Sequence, residues 1–163
     1  KSPISGGALI IYFSKAKKVR TNSLKDSIIE EKRLKINEYS SWNNFAKKTN
    51  AHKKYTLDIL ESMKTKKIIG FGSSARSQTY LNYCGVKNNH IDSIIDNNPM
   101  KKGQFTPGSS IPIVSLQDGI KRNPDIIFIL AWNFKNEIIG ECKNFGFKGQ
   151  YLIPFPSKPY VIN

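Results

Sequence analysis

A glycine-rich segment at positions 70 to 76, GFGSSAR, holds the residues best suited to bind an anion. It follows a short apolar run and precedes a helical stretch, so the N–H groups and positive dipole end of that helix would face a phosphate. We expect Gly70 to permit the tight turn and Gly72 to let a ligand approach the backbone. Arg76, in the first helical turn, could add a charged contact to the phosphate.

Asp96 adds a second element to this pattern. It ends the next apolar run about twenty residues further on, where an acid that binds ribose is placed in dinucleotide sites. The glycine pattern is incomplete, however. Position 75, where a GxGxxG motif has its third glycine, is Ala, and position 77 is Ser. Two interpretations therefore stay open, a site for a nucleotide or another phosphate-bearing ligand and a glycine-tightened turn with a structural role only.

Two further groups of polar and aromatic residues follow apolar runs. Asn98 and Lys101 lie in a long loop after Asp96, and Lys101 could screen a phosphate. Trp132 and Asn133 follow another run, and the indole could stack on a base or sugar, or pack without contacting a ligand. All of them fall at the carboxyl edge of the predicted sheet, where open α/β sheets bind ligands.

Motifs for metal binding or autonomous catalysis are absent from the sequence. No Cys/His/Asp cluster has metal-ligand spacing, and neither a GxSxG elbow nor a P-loop occurs. With two histidines, His52 and His90, the chain resembles a binding domain more than a complete catalyst. We predict no catalytic residue and no metal site here.

The region after Lys67 alternates short apolar runs with helical stretches, a pattern typical of βαβ crossovers and a parallel sheet. We predict a Rossmann-like α/β fold, a mostly parallel sheet flanked by helices, with a helical N-terminal segment. The chain is predicted to be one domain, with an N-terminal segment of one strand and helices at 1–66, a core at 67–153 and an extended tail at 154–163. The predicted strands are 68–71, 91–95, 111–114, 126–131 and 151–153, and the predicted core helices are 74–83, 115–121 and 133–145.

The N-terminal segment, residues 1–66, is predicted to begin with a strand at 8–13. A helix capped by Asn22 or Ser23 follows, through about residue 36, and then a longer helix capped by Ser40 or Ser41. Its apolar residues recur at helical intervals and predict a packing face, formed by Trp42, Phe45, Ile59, Leu60 and Met63. His52 on this helix is predicted to be a surface or half-buried residue.

The composition describes one domain with a strong positive charge. The chain has 163 residues and a formal net charge of +14, with 22 lysines but four arginines. Lysine lacks the forked donor geometry by which arginine reads bases and phosphates, so a solvated basic surface is favoured over nucleic-acid binding. We expect no membrane span, a cytoplasmic location consistent with two isolated cysteines, and a chain that is part of a longer protein.

Four strings give the sequence a resemblance to a known family. They are GFGSSARSQTYLNYCG (70–85), DNNPMKKGQFTPGSSIPI (96–113), PDIIFILAWNFKNEI (124–138) and YLIPFP (151–156). In order and spacing the chain resembles the C-terminal domain of sugar-nucleotide C-methyltransferases, which methylate a carbon of a keto-deoxysugar attached to dTDP or a similar nucleotide. SGGALIIY (5–12) is similar to the family's HGGS-type strand, with Ser5 where the family often has His.

The resemblance implies that this chain is the substrate-binding part of a larger enzyme. A covalently linked upstream domain would bind S-adenosylmethionine, and no cofactor would be bound by this chain. A base outside the chain would remove a proton alpha to the keto group. The resulting enolate would then attack the methyl group on the sulfonium of S-adenosylmethionine. The substrate-binding residues implied are Gly70, Gly72, Ser74, Ala75, Arg76, Asp96, Asn98, Lys101, Trp132 and Asn133.

Two other classes of function stay open at this point. One is an NAD(P)-binding oxidoreductase domain built on the same turn, and the other is a non-catalytic domain whose basic surface binds polyanions. Ser77 and Gln78 also replace the family's usual Gly-Asn pair, which leaves the nucleotide and the sugar undetermined.

Overall fold

The computed structural model describes residues 8–163, which form a mixed α/β structure with a six-stranded sheet. Ser5, Gly6 and Gly7 of the first predicted strand region lie outside the described residues. The helices are α1 (Asn22–Arg33), α2 (Tyr39–Ser62), α3 (Ala75–Cys84), α4 (Leu116–Lys121) and α5 (Lys135–Asn144). The strands are β1 (Ile68–Phe71), β2 (Ser93–Ile95), β3 (Ile113–Val114), β4 (Ile126–Ile129), β5 (Gln150–Ile153) and β6 (Tyr160–Ile162). Short 3-10 helices lie at Pro99–Lys101 and Trp132–Phe134.

The sheet has the strand order β3-β2-β1-β4-β5-β6. The first five strands in this order are parallel, as the alternating pattern predicts, and β6 is antiparallel to β5. The C-terminal segment is therefore more than an extended tail. Tyr160 pairs with Ile153, so the chain turns back after β5 and β6 becomes the edge strand on that side of the sheet.

The strands are buried because both faces of the sheet are covered. Every residue of β1 and β4 is buried, and neighbouring side chains point to opposite faces. Ile68 packs in a cluster with Leu60 of α2 and Leu81 of α3. Ile69 packs in a second cluster, with Leu116 of α4 and Ile138 of α5. This two-sided burial explains the continuous apolar runs.

The chain divides into two compact units, residues up to Asn50 and Ala51–Asn163. The sheet belongs to the second. In the first, none of residues 8–50 is buried, so the predicted packing face of α2 is wrong at its start, with Trp42 61% and Phe45 59% exposed. Further along the same helix Leu60 is buried, and Ile59 and Met63 pack against the core.

The predicted strand at 8–13 is also corrected by the structure. Residues 9–13 adopt no strand, and their side chains are exposed, up to 95% at Phe13. A strand needs a hydrogen-bonded neighbour, and residues 9–13 pair with none of the six strands.

Hydroxyl caps set the start of three helices, including α3, which begins at the candidate site described below. Ser74 caps α3 by accepting a hydrogen bond from the Ser77 N–H, and Ser115 caps α4 by accepting one from the Asp118 N–H. Thr21 caps α1, in place of the predicted Asn22 or Ser23, which lie in the helix. Within the described residues, no helix combines the length and the apolar character needed to cross a membrane.

Candidate functional site

The strand order reverses between β1 and β4, and this position defines the candidate site. β2 and β3 lie on one side of β1, whereas β4 and β5 lie on the other. Chain segments that leave the carboxyl ends of β1 and β4 therefore diverge and open a crevice, which is where open α/β sheets bind ligands. The segments are residues 72–76 after β1 and residues 130–134 after β4.

A cavity of about 70 Å³ lies between these two segments. Four of the predicted site residues line it together, namely Ser74, Arg76, Trp132 and Asn133. Leu130, Ala131 and Phe134 complete the lining and were not predicted. The lining combines aromatic and aliphatic side chains with one cation, Arg76, a mixture suited to an apolar ring next to an anion.

The size of the cavity limits what it can hold. Sites for whole small molecules commonly measure roughly 300–1,000 Å³, so a cavity of about 70 Å³ can enclose only one part of a nucleotide-linked sugar.

The two glycines of the turn have different roles. Gly72 has φ +101°, and a Cβ on it would lie 2.6 Å from the Cβ of Ala131. A glycine at position 72 is thus required both by the backbone and by the close approach of the β4 segment. Gly70 is buried within β1, where a Cβ would lie 3.0 Å from Ile94 and Leu130. Its expected role in the turn is wrong, because it serves strand packing.

Helix α3 begins at the cavity. Ser74 is its cap, and Ala75 and Arg76 are exposed in its first turn. The N–H groups of a first helical turn have no partner within the helix, so an anion can bind there. This geometry agrees with the predicted phosphate position, which stays a prediction.

Ser73, which joins β1 to α3, is held by all three of its polar groups. Its N–H donates to Asp96 Oδ2 (2.8 Å), and its carbonyl accepts from Lys101 Nζ (2.7 Å). Its hydroxyl accepts from Gln78 Nε2 (3.2 Å). Three separate elements therefore fix the turn, which keeps the start of α3 in place before any ligand binds.

Asp96 is occupied by protein donors on both carboxylate oxygens. Besides Ser73, Oδ2 accepts from Lys101 Nζ (3.0 Å), and Oδ1 accepts from the Asn98 N–H (2.9 Å). Burial opposes ionisation, but these hydrogen bonds and the Lys101 ammonium outweigh it and lower the pKa of Asp96. The geometry favours a supporting role for Asp96 over the predicted contact with ribose.

The loop residues after β2 lie apart from the cavity lining. Asp96, Asn98 and Lys101 are not among the residues that line it. The Asn98 side chain accepts a hydrogen bond from the Met100 N–H and caps the short 3-10 helix. Lys101 directs its ammonium inward to Ser73 and Asp96.

The Trp132 ring of the cavity lining belongs to an aromatic cluster that the sequence patterns did not predict, formed by His52, Tyr80, Phe155 and Trp132. Phe155 contacts the other three rings, at centroid distances of 4.6 Å to His52, 5.1 Å to Tyr80 and 4.5 Å to Trp132. His52 is half-buried, which is one of the two placements predicted for it, and burial lowers its pKa. Only the YLIPFP string pointed towards Phe155, because aromatic residues this far apart in sequence leave no periodic signal.

The described part of the chain contains no group of three or more His, Cys, Asp or Glu side chains arranged to hold a metal ion. Cys84 and Cys142 are both free and buried. Burial raises the pKa of the Cys142 thiol to about 12, so it stays protonated near neutral pH.

Comparisons with known proteins add a family to this geometry. The family model described as C-methyltransferase C-terminal domain matches residues 3–156. A curated relative, the C-methyltransferase NovU of Streptomyces niveus, is 34% identical over 99 residues. That alignment covers 60% of this chain and 23% of the relative, so the chain matches less than a quarter of the length of that protein.

Proposed function

Because the chain belongs to the C-methyltransferase C-terminal domain family, we propose that it is the substrate-binding domain of a methyltransferase that uses S-adenosylmethionine. The proposed substrate is a keto-deoxysugar linked to dTDP or a similar nucleotide, and the reaction is methylation of a sugar carbon. The observation that carries the proposal is the cavity at the crevice between β1 and β4, with Arg76 and Trp132 in its lining.

The two sides of the cavity suit two parts of such a substrate. The first turn of α3 and the Arg76 guanidinium would bind the diphosphate, since helix N-termini and arginine both favour phosphate oxygens. The indole of Trp132 and the amide of Asn133 would contact the base or the sugar, because aromatic faces stack on flat rings and on apolar sugar faces. The hydrogen bonds of Ser73 with Asp96 and Lys101 would keep these groups in place.

The chemical step is proposed to depend on groups outside this chain. Neither histidine lines the cavity. His52 contacts Tyr80, and His90 Nδ1 accepts a hydrogen bond from the Lys87 N–H. A base and the S-adenosylmethionine site would therefore come from another part of the same polypeptide, and the 163-residue chain alone would be inactive.

The exposed apolar residues of the first unit support a covalently linked methyl-donor domain as the partner. Thirteen large apolar side chains between positions 9 and 45 are exposed, and soluble domains rarely leave so many uncovered. We call them the N-terminal apolar residues: Leu9, Ile10, Ile11, Tyr12, Phe13, Val19, Leu24, Ile29, Leu34, Ile36, Tyr39, Trp42 and Phe45. The much greater length of the NovU relative is in line with a further domain that would cover them.

Calorimetric titration with dTDP, UDP and NAD tests the proposal. We expect saturable binding of dTDP or UDP and a loss of roughly tenfold or more in Arg76→Ala, because a hydrogen bond to a charged group contributes about 1.5–3 kcal/mol. Arg122→Ala is the matched control, since Arg122 pairs with Asp92 just before β2, at the opposite end of the strands.

Two results would reject the proposal in favour of another class. Saturable binding of NAD without a response to nucleoside diphosphates would indicate an oxidoreductase domain. Salt-sensitive binding of DNA without nucleotide binding would indicate a polyanion-binding domain.

A further inference from the structure

The YLIPFP segment brings one aromatic ring from the end of β5 into contact with the cavity lining. Phe155 follows β5 by two residues, and its ring lies 4.5 Å from the Trp132 ring with an interplanar angle of 50°. Trp132 lines the cavity. Phe155 therefore contacts a cavity residue without lining the cavity.

The orientation of the Trp132 ring depends on packing. Among the described residues, no hydrogen bond holds its side chain, and Phe155 is the aromatic ring that contacts it. Aromatic pairs favour particular offset or tilted geometries, so a contact at this distance restricts how the indole can rotate.

The Phe155 ring also contacts two rings that belong to α2 and α3. The His52 ring stacks on it almost in parallel, at 6° between the planes, and Tyr80 meets it at 57°. Those two rings are tied together, since His52 Nε2 lies 3.3 Å from the Tyr80 hydroxyl. The same hydroxyl is hydrogen-bonded to Thr56 Oγ1 (2.7 Å), so Phe155 packs on a braced surface.

We propose that Phe155 is a positioning residue that sets the orientation in which the Trp132 ring faces the ligand. His52 and Tyr80 hold Phe155, and Phe155 holds Trp132, so the packing of α2 and α3 determines the shape of the cavity wall. The ligand part of this inference rests on the proposed function, whereas the effect on the Trp132 ring does not.

A pre-oriented ring improves binding because the ligand does not have to order it. Fixing one mobile side chain on binding costs a modest part of the affinity. We therefore expect loss of the Phe155 ring to weaken binding of dTDP about three- to tenfold.

The test uses the full 163-residue chain with Trp42→Phe, which leaves Trp132 as its one tryptophan. In this background Phe155→Leu removes the ring and keeps an apolar side chain, while Phe155→Tyr restores the ring. We expect the Trp132 emission to shift to longer wavelength and its quenching by acrylamide to rise about twofold in the leucine variant, and both to return in the tyrosine variant. Binding of dTDP is measured by calorimetry on the same samples.

Phe145→Leu is the matched control, because Phe145 follows α5 and is 51% exposed. It should change neither the fluorescence nor the affinity. A folded Phe155→Leu protein whose Trp132 quenching equals that of the control would overturn the proposal. If Phe155→Leu does not fold, His52→Gln removes the stacked ring behind Phe155, and unchanged quenching there would overturn it equally.

The two proposals can fail separately. If the chain with Phe155 intact binds no nucleoside diphosphate, the proposed function is rejected. A quenching change in Phe155→Leu would still support the positioning of Trp132. Normal binding of dTDP by the parent with unchanged quenching and affinity in Phe155→Leu would reject the positioning role alone.

Discussion

Asp96 and Asp118 are both paired with a lysine, but they differ in burial. Asp96 is 12% exposed beside Lys101, whereas Asp118 is 41% exposed beside Lys102. An exposed ion pair contributes about 0–1 kcal/mol. A half-buried carboxylate such as Asp96, which also accepts backbone hydrogen bonds, contributes more, because its donors lose their partner when it is altered.

We expect Asp96→Asn to lower the free energy of unfolding by about 1–3 kcal/mol, measured by urea denaturation at pH 7. The control, Asp118→Asn, should stay within about 1 kcal/mol of the parent. Because the folded-state pKa of Asp96 is lowered, its contribution is present above the ordinary carboxyl pKa of about 4 and is lost as the pH falls through the folded-state value. The difference between parent and Asp96→Asn should therefore shrink in acid, and equal losses in the two variants would contradict this account.

His52 changes stability with pH in the same direction as Asp96, although in this case burial lowers the pKa by favouring the neutral imidazole. Its pKa is lowered in the folded state, so the unfolded chain binds more protons as the pH falls below about 6.5. Stability should then decrease from pH 7 towards pH 5. Thermal unfolding over this range should show a smaller decrease in His52→Gln than in the parent. Parallel curves would show that His52 does not contribute to the pH dependence.

At the level of elements, the β1–α3 turn depends on a glycine that no other residue can replace. Gly72→Ala would place a Cβ against Ala131 at a positive φ, so we expect a loss of about 2–4 kcal/mol. Gly140→Ala is the control, since a Cβ at this exposed position of α5 meets nothing within 4 Å. It should stabilise the protein by about 0.5–1 kcal/mol. Urea denaturation compares the two, and similar losses would contradict the packing argument.

The elements that could be predicted from the sequence are those with local causes. Continuous apolar runs such as Ile126–Ile129 identified the parallel strands, and Ser74 and Ser115 marked two helix starts. The segment at 8–13 has the same apolar texture but no strand partner, and pairing is not encoded locally. Strand β6 was missed for the same reason, because its pairing with β5 depends on how the chain turns back.

The candidate site was predictable to a similar degree. Residues in the segments that follow β1 and β4, such as Arg76 and Trp132, were placed at the correct edge, and both line the cavity. The partners of Asp96 and the ring contacts of Phe155 depend on distances between elements remote in sequence. Spacing along the chain contains no information about them.

At the level of the whole molecule, the net charge of +14 and the N-terminal apolar residues act in opposite directions. Uncovered apolar side chains favour association between chains, whereas a high charge of one sign opposes it. Salt weakens the repulsion much more than the apolar attraction, since the Debye length falls from about 10 Å at 0.1 M to about 3 Å at 1 M. The isolated chain should therefore be monomeric at low salt and associate as salt is added.

A matched pair of phenylalanines tests whether the N-terminal apolar residues cause that association. Phe45 and Phe145 are 59% and 51% exposed, but Phe45 lies next to Trp42, with ring centroids 6.1 Å apart, among many other exposed apolar residues. Because Phe45 is one of the N-terminal apolar residues and Phe145 is not, we expect Phe45→Glu to weaken association several-fold at about 0.5 M salt, measured by sedimentation velocity over a range of concentrations, and Phe145→Glu to leave it unchanged. Neither substitution should alter binding of dTDP, because neither residue lines the cavity and neither ring contacts the Trp132 ring as Phe155 does. If both variants associate like the unsubstituted chain, the N-terminal apolar residues do not form the surface through which the chains associate. They would then no longer support a methyl-donor domain as their partner.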